Sequence, residues 1–583
     1  MFPRISPVKV GDKTYEYLRL VESYRDDKGR NKQRVLANLG RIDQLGDSVD
    51  RLVDKLRRFC SDNFVLPNEI INEDSVSWGE ILVARKLWED IGLGQILKEL
   101  CQGQHLFNVA ERVFVLVGNR LSAPTSEHGL ARWLEHTYVC DRDGKRYLPE
   151  WLPQEQVTKE QRVKVTWKWL QNWYRTLDAV YAKKKEIEKK VYLRLMDLCQ
   201  VKVDLVFYDI TTIYFERRSQ VGKLRRHGNS KDGKPRNVQV LLGTVMLHGL
   251  PIATHVFEGN RAEKKTVNEV VKDIRDRFGI RNIIFVADTG MKSPENLKLF
   301  QGLEGYSYIL GHPGRRDADA EKWLQKVTDN WEDVGRGTRI QEVESGQSGV
   351  RVFVAASDER KKYEASLRKK SMKRAEEHLK KVAQAVDAGR LKDPAKIGAR
   401  AARALAKDKG YRYFGYEVPA EGQFRYFLDQ KKLSAETLHE GRYLITTDHP
   451  HISMGDALRN YKDLSDVEDG YRHLKDIIEG RPVYHKNDDR ICAHLFIAQL
   501  ALLVMRYLRK RLEEAGLPFS PHDALKAAKS LGVATLDLNG EKKVLAAGAK
   551  RDANRVFNAL DIKDLQPPGW SDNPESESTL FEM

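Results

Sequence analysis

Val203-Asp-Leu-Val-Phe-Tyr-Asp209 is an apolar run of the kind that forms a buried strand, and it ends on a carboxylate. A second such run, Ile283-Ile-Phe-Val-Ala-Asp288, ends in the same way. Two further strand-like runs, 238–247 and 252–257, and an amphipathic stretch over 266–278 lie between them. The resulting order β-β-β-α-β predicts an α/β unit in which both carboxylates emerge at the edge of the sheet.

The two aspartates suggest a metal site. Taken singly, Asp209 or Asp288 is more simply explained as a turn residue or a helix cap. Two carboxylates brought together repel each other unless a cation neutralises them, and ligation by oxygen alone suits Mg²⁺ or Mn²⁺. Two such ions about 3.5–4 Å apart can activate a water or a 3′-hydroxyl against a phosphodiester.

The composition favours a polyanionic partner. The 583 residues contain 100 Lys and Arg against 84 Asp and Glu, which leaves a formal charge of +16. The length predicts three or more structural units, and a hydrophobic content of 41% excludes a disordered chain. Five scattered cysteines without a CxxC pair argue against a zinc ribbon and against a disulfide framework. Residues 491–505 are the most apolar stretch, and we interpret them as a buried helix because they are too short for a membrane span.

The positive charge is concentrated in one segment. Residues 359–409 contain 17 Lys and Arg and 7 Asp and Glu, and their pattern is helical with few large apolar side chains. Such a stretch is either a solvated helix face or a surface that contacts the DNA backbone. The uneven distribution of charge favours the second interpretation.

A third carboxylate lies on a long helix predicted over 454–478. Tyr461, Leu464, Glu468, Arg472 and Lys475 are spaced by 3, 4, 4 and 3 residues, so they share one helical face. The simple alternative is a stripe of ion pairs, which is common on helices. The functional interpretation places Glu468 on the metal ions and lets Arg472 and Lys475 hold DNA phosphates beside them.

These features follow one another in the order of a known family. The blocks that carry the likeness are Phe207-Tyr-Asp-Ile-Thr-Thr, the basic turn Gly228-Asn-Ser-Lys-Asp-Gly-Lys-Pro-Arg-Asn-Val-Gln, Val286-Ala-Asp-Thr-Gly-Met-Lys-Ser, and Tyr461-x₂-Leu464-x₃-Glu468-x₆-Lys475. The sequence resembles the DDE transposases of bacterial and archaeal insertion sequences, in the branch with a long insertion before the final Glu and a Tyr-Arg-Glu-Lys signature. The resemblance runs from about residue 5 to 560, since Arg34-Val-Leu-Ala-Asn-Leu-Gly is similar to the N-terminal arm of that family.

The resemblance implies a ribonuclease H-like catalytic core interrupted by an insertion, and cleavage of DNA strands followed by strand transfer. It implies that Asp209, Asp288 and Glu468 are catalytic and bind two Mg²⁺ ions, for which Mn²⁺ can substitute. It also implies a homodimer on double-stranded DNA, with transposon ends and target as substrates. The arginine of the signature is Leu464 here, and we hypothesise that Arg472 supplies the missing phosphate contact.

The sequence predicts an α/β core preceded by a β-hairpin arm and a helical N-terminal domain. A helix near Asp47 follows the arm. The predicted segments are an N-terminal β arm (1–60), a helical domain considered for DNA binding (61–200), the first half of the core (201–344), the basic insertion (345–441), the second half of the core (442–515), and a C-terminal region considered for dimerisation that ends in a loose tail (516–583).

The remaining expectations concern contacts and location. Lys231, Lys234 and Arg236 either touch DNA backbone or only solubilise their turn, and Tyr461 is expected beside the DNA. The chain has no GxxxxGK[ST] motif, so we expect no nucleotide cofactor. No membrane is expected as a partner, and the expected location is the cytoplasm, on the nucleoid.

Two alternatives remain open at this level. The first is a nuclease of the same fold that cuts without joining, and the second is an inactive DNA-binding relic. The basic insertion and the ordered blocks argue against the first. The three intact carboxylates argue against the second.

Overall fold

A computed structural model of the chain describes residues 2–25, 30–45, 70–101, 108–148, 159–199, 205–216, 219–335, 337–478, 483–538 and 541–568. The predicted helix near Asp47 and most of the predicted loose tail lie outside these residues. The chain divides into a smaller unit, from 1–74 and 534–544, and a larger unit, from 75–533 and 545–583.

The N-terminal arm is an antiparallel sheet of three strands, one more than the predicted hairpin. The strands are Phe2–Val10, Lys13–Arg25 and Asn31–Arg41, in that spatial order, and the helical turn Ile42–Leu45 follows them. Gly11 turns the chain between the first two strands at φ 63°, a backbone conformation that favours glycine. Another three-stranded sheet has the order Glu541–Ala547, Gly532–Leu538 and Ile70–Ser77.

The next part of the chain is helical, as its periodicity predicts. The helices are Gly79–Ile91, Leu93–Leu100, Val109–Ser122, Leu130–His136 and Lys159–Cys199. Three of them, Gly79–Ile91, Val109–Ser122 and Lys159–Cys199, pack against Asp488–Glu514, which we call the core helix. The core helix is long and apolar enough to cross a membrane, but its apolar part is wholly buried inside the protein. The prediction of a buried helix is therefore confirmed.

The part of the chain that carries Asp209 and Asp288 is built on a nine-stranded mixed sheet. We call Leu205–Tyr214 the first-Asp strand and Ile283–Ala287 the second-Asp strand, and they are parallel neighbours. The predicted order β-β-β-α-β is confirmed, with the helix Val267–Phe278 before the second-Asp strand. In spatial order the strands are Glu332–Asp333, Thr338–Val343, Arg351–Ser357, Arg442–Thr447, Tyr306–Gly311, Ile283–Ala287, Leu205–Tyr214, Gln239–Leu247 and Leu250–Glu258.

The position of Asp209 differs from the prediction. Asp288 directly follows the second-Asp strand, as predicted, but Asp209 is the fifth of the ten residues of the first-Asp strand. The strand continues because residues 210–214 are apolar or β-branched and pair with the antiparallel neighbour Gln239–Leu247 as far as Tyr214. The second-Asp strand has already ended at this level, so Asp209 still lies beside an open edge.

The segment predicted as the basic insertion, 345–441, begins with a strand of the sheet. Thr338–Val343 and Arg351–Ser357 form an antiparallel pair, and the second of them pairs with Arg442–Thr447. The boundary predicted at 345 therefore falls in a turn between two strands of the sheet. Residues 352–355 are an apolar run buried within the sheet, which explains why they belong to the core.

The helical part of the insertion runs from Asp358 to the strand that starts at Arg442. It contains the helices Asp358–Asp387, Pro394–Lys407 and Gln430–Leu438 and the strand pair Phe414–Glu417 and Arg425–Leu428. Its own small core consists of Ala375, Leu379, Leu405, Tyr413 and Phe414. Most of its basic side chains are exposed.

The helix of the third carboxylate, Met454–Arg472, starts at the N-cap Ser453 and continues as the π-helical turn His473–Ile477. We call it the Glu468 helix. The wider π turn breaks the 3.6-residue spacing that placed Lys475 in line with Glu468. The other helices are Pro294–Gln301, Ala318–Gln325, Pro521–Ala528 and Arg551–Ala559, and short 3₁₀ turns occur at Glu263–Lys265, Thr289–Met291, Gly314–Arg316 and Gly410–Arg412.

Candidate active site

The two aspartates are neighbours across parallel strands. The register pairs Phe207 with Val286, so the backbone two residues further along carries Asp209 on one strand and Asp288 just past the other. Asp288 stands at the N-cap position of the turn Thr289–Met291, but its side chain makes no capping hydrogen bond. The explanation of Asp288 as a helix cap is therefore excluded, and its carboxylate is exposed.

The charge state of Asp209 shows which groups surround it. Burial raises the pKa of Asp209 to about 7, and the negative charges of Asp288 and Glu468 raise it further, against the lowering effects of Lys231 and the Ile210 amide. All three predicted carboxylates thus lie close enough for their charges to interact. Glu468 itself is exposed at the surface of its helix.

Tyr461 lies at the same place. Burial raises the pKa of its hydroxyl, and the charges of Asp288 and Glu468 act in the same direction. A Cβ added at Gly311 would lie 2.3 Å from the Tyr461 hydroxyl oxygen, so glycine at 311 makes room for this ring. The Tyr461 ring therefore sits next to two of the carboxylates.

Tyr471 is a residue of the site that was not predicted from the sequence. It is fully buried, and its hydroxyl donates to the backbone carbonyl of Asp209. The same hydroxyl accepts a hydrogen bond from the Thr244 amide at 2.9 Å. The signal was present, because Tyr471 follows Leu464 and Val467 on the apolar stripe of the helix.

Lys231 lies beside Asp209, although its side chain is exposed. Its ammonium donates to the Ile210 carbonyl at 2.7 Å and pairs with Glu263 at 2.8 Å. It also holds the pKa of Asp209 below the value that burial would give. A DNA-contact role and a solubilising role were the two sequence-based interpretations, and the structure adds a third, which is to support Asp209.

Lys475 is engaged with another side chain. Its ammonium lies 3.0 Å from Asp232, and the two side chains are only 12% and 16% exposed. The Thr212 hydroxyl donates to the same carboxylate at 3.2 Å. The Lys475–Asp232 ion pair holds the π turn after Glu468 in contact with the basic turn that follows the first-Asp strand.

The other predicted DNA-contacting residues are exposed. Lys234 lies over the Tyr214 ring at 3.9 Å, and Arg236 is exposed beside it. Arg472 is exposed and pairs with Asp469 at 2.9 Å, whereas Leu464 is buried.

The donor set fits a hard divalent cation. Asp209, Asp288 and Glu468 provide only carboxylate oxygens, and the pKa of Asp209 is raised first by burial and then by repulsion from the other two acids. A divalent cation removes that repulsion, and Mg²⁺ and Mn²⁺ prefer such ligands.

A second cluster of ionisable groups lies in the helical part of the larger unit. Glu127 accepts from His485 at 3.3 Å and lies 3.7 Å from His494, and all three are buried. These groups are close enough to hold a metal ion. However, Arg120 lies 3.4–3.5 Å from both ring nitrogens of His494, and a cation at that distance opposes metal binding. No local pattern in the sequence distinguishes Glu127 from other acids of the helical part.

Comparisons with known proteins bear on both halves of the chain. A family model described as "Transposase DDE domain" matches residues 204–504, just over half of the chain, and one described as "IS1634 family transposase, N-terminal domain" matches residues 3–69. A solved structure, "Cryo-EM structure of piggyBac transposase synaptic complex with hairpin DNA", is similar at 7% identity over 77% of this chain and 79% of that chain, with a TM-score of 0.34. No curated protein sequence matches the chain.

Proposed function

Because the chain belongs to the DDE transposases of insertion sequences, we propose that Asp209, Asp288 and Glu468 are its catalytic carboxylates. The observation that carries this assignment is the parallel register of the two strands, which puts Asp209 beside Asp288, and the charges of Asp288 and Glu468 both act on Asp209. Three acids that are far apart in the sequence thus share one electrostatic site on the sheet edge.

The three carboxylates are the ligands for divalent cations, and we expect two Mg²⁺ ions, with Mn²⁺ as a substitute. When bound, such ions lower the pKa of a water or a 3′-hydroxyl and stabilise the leaving oxygen. The protein residues hold the carboxylates in place. Tyr471 fixes the backbone at Asp209 to the Glu468 helix, and Lys231 fixes the next carbonyl.

The reaction consists of two phosphoryl transfers. In cleavage, a water oxygen bonds to the phosphorus at the transposon end, and the bond to the 3′ oxygen breaks, which leaves a 3′-hydroxyl and a 5′-phosphate. In joining, that 3′-hydroxyl attacks a target phosphodiester and displaces the 3′ oxygen of the target strand. One phosphodiester is broken and one is formed in the second step, so no nucleotide cofactor is required.

The exposed basic side chains are assigned to DNA. The insertion helices Asp358–Asp387 and Pro394–Lys407 present most of them, and Lys234, Arg236 and Arg472 add to this set. Each phosphate contact releases condensed counterions, which makes binding dependent on salt. We expect a homodimer on the two transposon ends and a location on the cytoplasmic nucleoid.

The test is joining of a pre-cut end to plasmid DNA in the presence of Mg²⁺. We expect Asp209→Asn, Asp288→Asn and Glu468→Gln each to abolish cleavage and joining and to leave binding to the terminal repeats intact. The control is Asp276→Asn, an exposed acid on the outer helix of the core, which should behave as wild type. Full activity of any carboxylate variant would remove that residue from the site, and cleavage without joining by the wild type would indicate a nuclease.

A further inference from the structure

A cavity of about 290 Å³ opens beside the candidate carboxylates. Asp288 and Tyr461 form one side of it, and the residues around the base of the insertion form the other. Its volume lies near the lower limit of the roughly 300–1,000 Å³ found for small-ligand sites. The cavity can therefore admit a single nucleotide unit, but it is too small for a duplex.

The wall that faces the carboxylates is basic. Arg315, Arg360 and Arg442 line it, together with two histidines. Two of these arginines are partly neutralised, because Arg360 lies 2.8 Å from Glu364, and Arg315 lies 3.4 Å from Glu364 and 3.1 Å from Glu436. Arg442 is the lining arginine that has no acidic partner among the described residues.

Arg442 differs from the other two arginines. Its Nη1 is shielded from solvent and has no hydrogen-bond partner among the described residues. Burial lowers the pKa of Arg442, and no acidic group opposes that effect. A shielded guanidinium nitrogen without an acceptor is costly in the free protein, which indicates that its acceptor arrives with a ligand.

We propose that this cavity binds one phosphate group of the DNA strand next to the scissile phosphate, with Arg442 as its main donor and Arg360 and Arg315 beside it. The inference rests on the proposed catalytic role of Asp288. We assign an anionic ligand because no acidic group offsets the charge of Arg442 in the free protein. Guanidinium groups match phosphate oxygens in geometry and charge.

The cavity also supplies what the Glu468 helix lacks. Leu464 is buried, so the helix presents no arginine at that position, and Arg472 is exposed and already paired with Asp469. The positive charge of Arg360 acts on the Tyr461 hydroxyl, which also senses Asp288 and Glu468. The arginines of the cavity therefore lie near the carboxylates at the base of the insertion, where they can contact a bound strand.

The test combines one protein change with one change in the DNA. Wild type and Arg442→Met are assayed for Mg²⁺-dependent cleavage and joining on duplexes in which single phosphates near the cleavage point are replaced by uncharged methylphosphonates. Removing Arg442 should slow the reaction by about tenfold to a hundredfold, the range for removal of one charge-assisted hydrogen bond. A methylphosphonate at one position should slow cleavage and joining by the wild type to a similar degree. The same methylphosphonate should have little further effect on the reaction of Arg442→Met.

A second readout separates this role from a structural one. Because Arg442 is shielded and unpaired in the free protein, Arg442→Met should keep or raise the Tm without DNA while it lowers activity. Arg275→Met is the matched control, since Arg275 is an exposed arginine paired with its neighbour Asp276, and it should leave both readouts unchanged.

Three outcomes would overturn the proposal. The first is wild-type activity of Arg442→Met while the Asp288→Asn variant is dead, which would leave the proposed catalytic site intact and refute only the cavity. The second is additive effects of Arg442→Met and every methylphosphonate. The third is strong inhibition of wild type by inorganic phosphate that Arg442→Met escapes, with no coupled position in the DNA, which would assign the cavity to a free anion. Activity of Asp288→Asn would instead refute the proposed function.

Discussion

Tyr471 donates a hydrogen bond to the backbone carbonyl of Asp209, and this contact joins the Glu468 helix to the first-Asp strand. The Thr244 amide donates to the same hydroxyl, so one buried oxygen connects the helix to two neighbouring strands. The distance between the first and third carboxylates therefore depends on a side chain that contacts neither metal nor DNA.

We expect Tyr471→Phe to lower the free energy of unfolding by about 1–3 kcal/mol, because the buried Thr244 amide and the buried Asp209 carbonyl lose their hydrogen-bond partner. The rate of cleavage should fall by more than this loss of stability explains, while the affinity for the terminal repeats should stay unchanged. Chemical denaturation and single-turnover cleavage measure the two effects. Tyr363→Phe, at an exposed tyrosine, is the control. Equal cleavage by wild type and Tyr471→Phe would show that the contact does not position the carboxylates.

Asp209 gives the metal-free protein an unusual pH dependence. Its folded pKa, about 7, lies above the ordinary value of 3.8, so the folded state holds a proton that the unfolded state has released. The stability that this group contributes is complete below pH 3.8 and is lost as the pH rises through 7. We expect Asp209→Asn to raise the Tm at pH 8 without metal.

In the presence of Mg²⁺ the wild type should instead have the higher Tm, because only the wild type offers all three charged carboxylates to the ion. The apparent affinity for Mg²⁺ should also rise between pH 6 and 8, since Asp209 must lose its proton to bind the ion. Thermal melts at several pH values, with and without Mg²⁺, check both statements. A wild-type Mg²⁺ affinity that is flat across this range would contradict the assignment of Asp209.

The ion pair of Lys475 and Asp232 should matter for stability. Because both side chains are largely buried, loss of one partner leaves a charge without compensation, which costs about 3–5 kcal/mol. We expect Lys475→Met and Asp232→Asn each to be strongly destabilising and the double variant to lose less than their sum. The exposed pair Lys183–Glu186 is the control, for which about 0–1 kcal/mol is expected. Additive losses in the double variant would mean that the pair is not coupled.

Much of the fold and of the site follows from the sequence, for local reasons. Apolar runs that end in Asp209 and Asp288 predicted two strands and two carboxylates, and the structure brings both together with Glu468. The helical spacing from Tyr461 to Arg472 also holds over one continuous helix. These features depend on residues that are near in sequence or on parallel neighbouring strands.

The rest could not be predicted because it depends on long-range packing. Nothing local shows that Arg351–Ser357 pairs with Arg442–Thr447, so the segment predicted as the basic insertion includes a strand of the sheet. The π turn after Arg472 gives no periodic signal, yet it moves Lys475 to Asp232. From the sequence, Tyr471 is indistinguishable from an ordinary residue of the hydrophobic core, because its hydrogen-bond partner lies on a distant strand.

The cluster of Glu127, His485 and His494 should behave as a hydrogen-bonded ion network. Burial, and next the charge of Arg120, lower the pKa of His494 to about 4, so its stabilising contribution is present above the ordinary value of 6.5 and is lost as the pH falls toward 4. We expect Glu127→Gln to lower the Tm at pH 7, and the loss of Tm between pH 6.5 and 4 to stay at least as steep, because Glu127 raises the pKa of His494 and its removal lowers that pKa further. Treatment of the protein as purified with EDTA should leave its Tm unchanged, and a drop in Tm that Zn²⁺ restores would show a metal site instead.

The basic insertion should control the salt dependence of DNA binding. Lys362, Lys369, Lys370 and Lys373 are exposed on Asp358–Asp387, and their spacing of 7, 1 and 3 residues keeps them near one side of the helix. If they contact phosphates, changing all four to Gln should reduce the slope of log K against log salt by about 0.9 for each phosphate that the variant no longer neutralises. The same four changed to Arg should keep the slope, because the charge remains. The Tm should be nearly unchanged in both variants, since exposed substitutions alter stability by about 0.5 kcal/mol or less. An unaltered slope in the Gln variant would make this segment a solvated helix face, which was the alternative that the sequence left open.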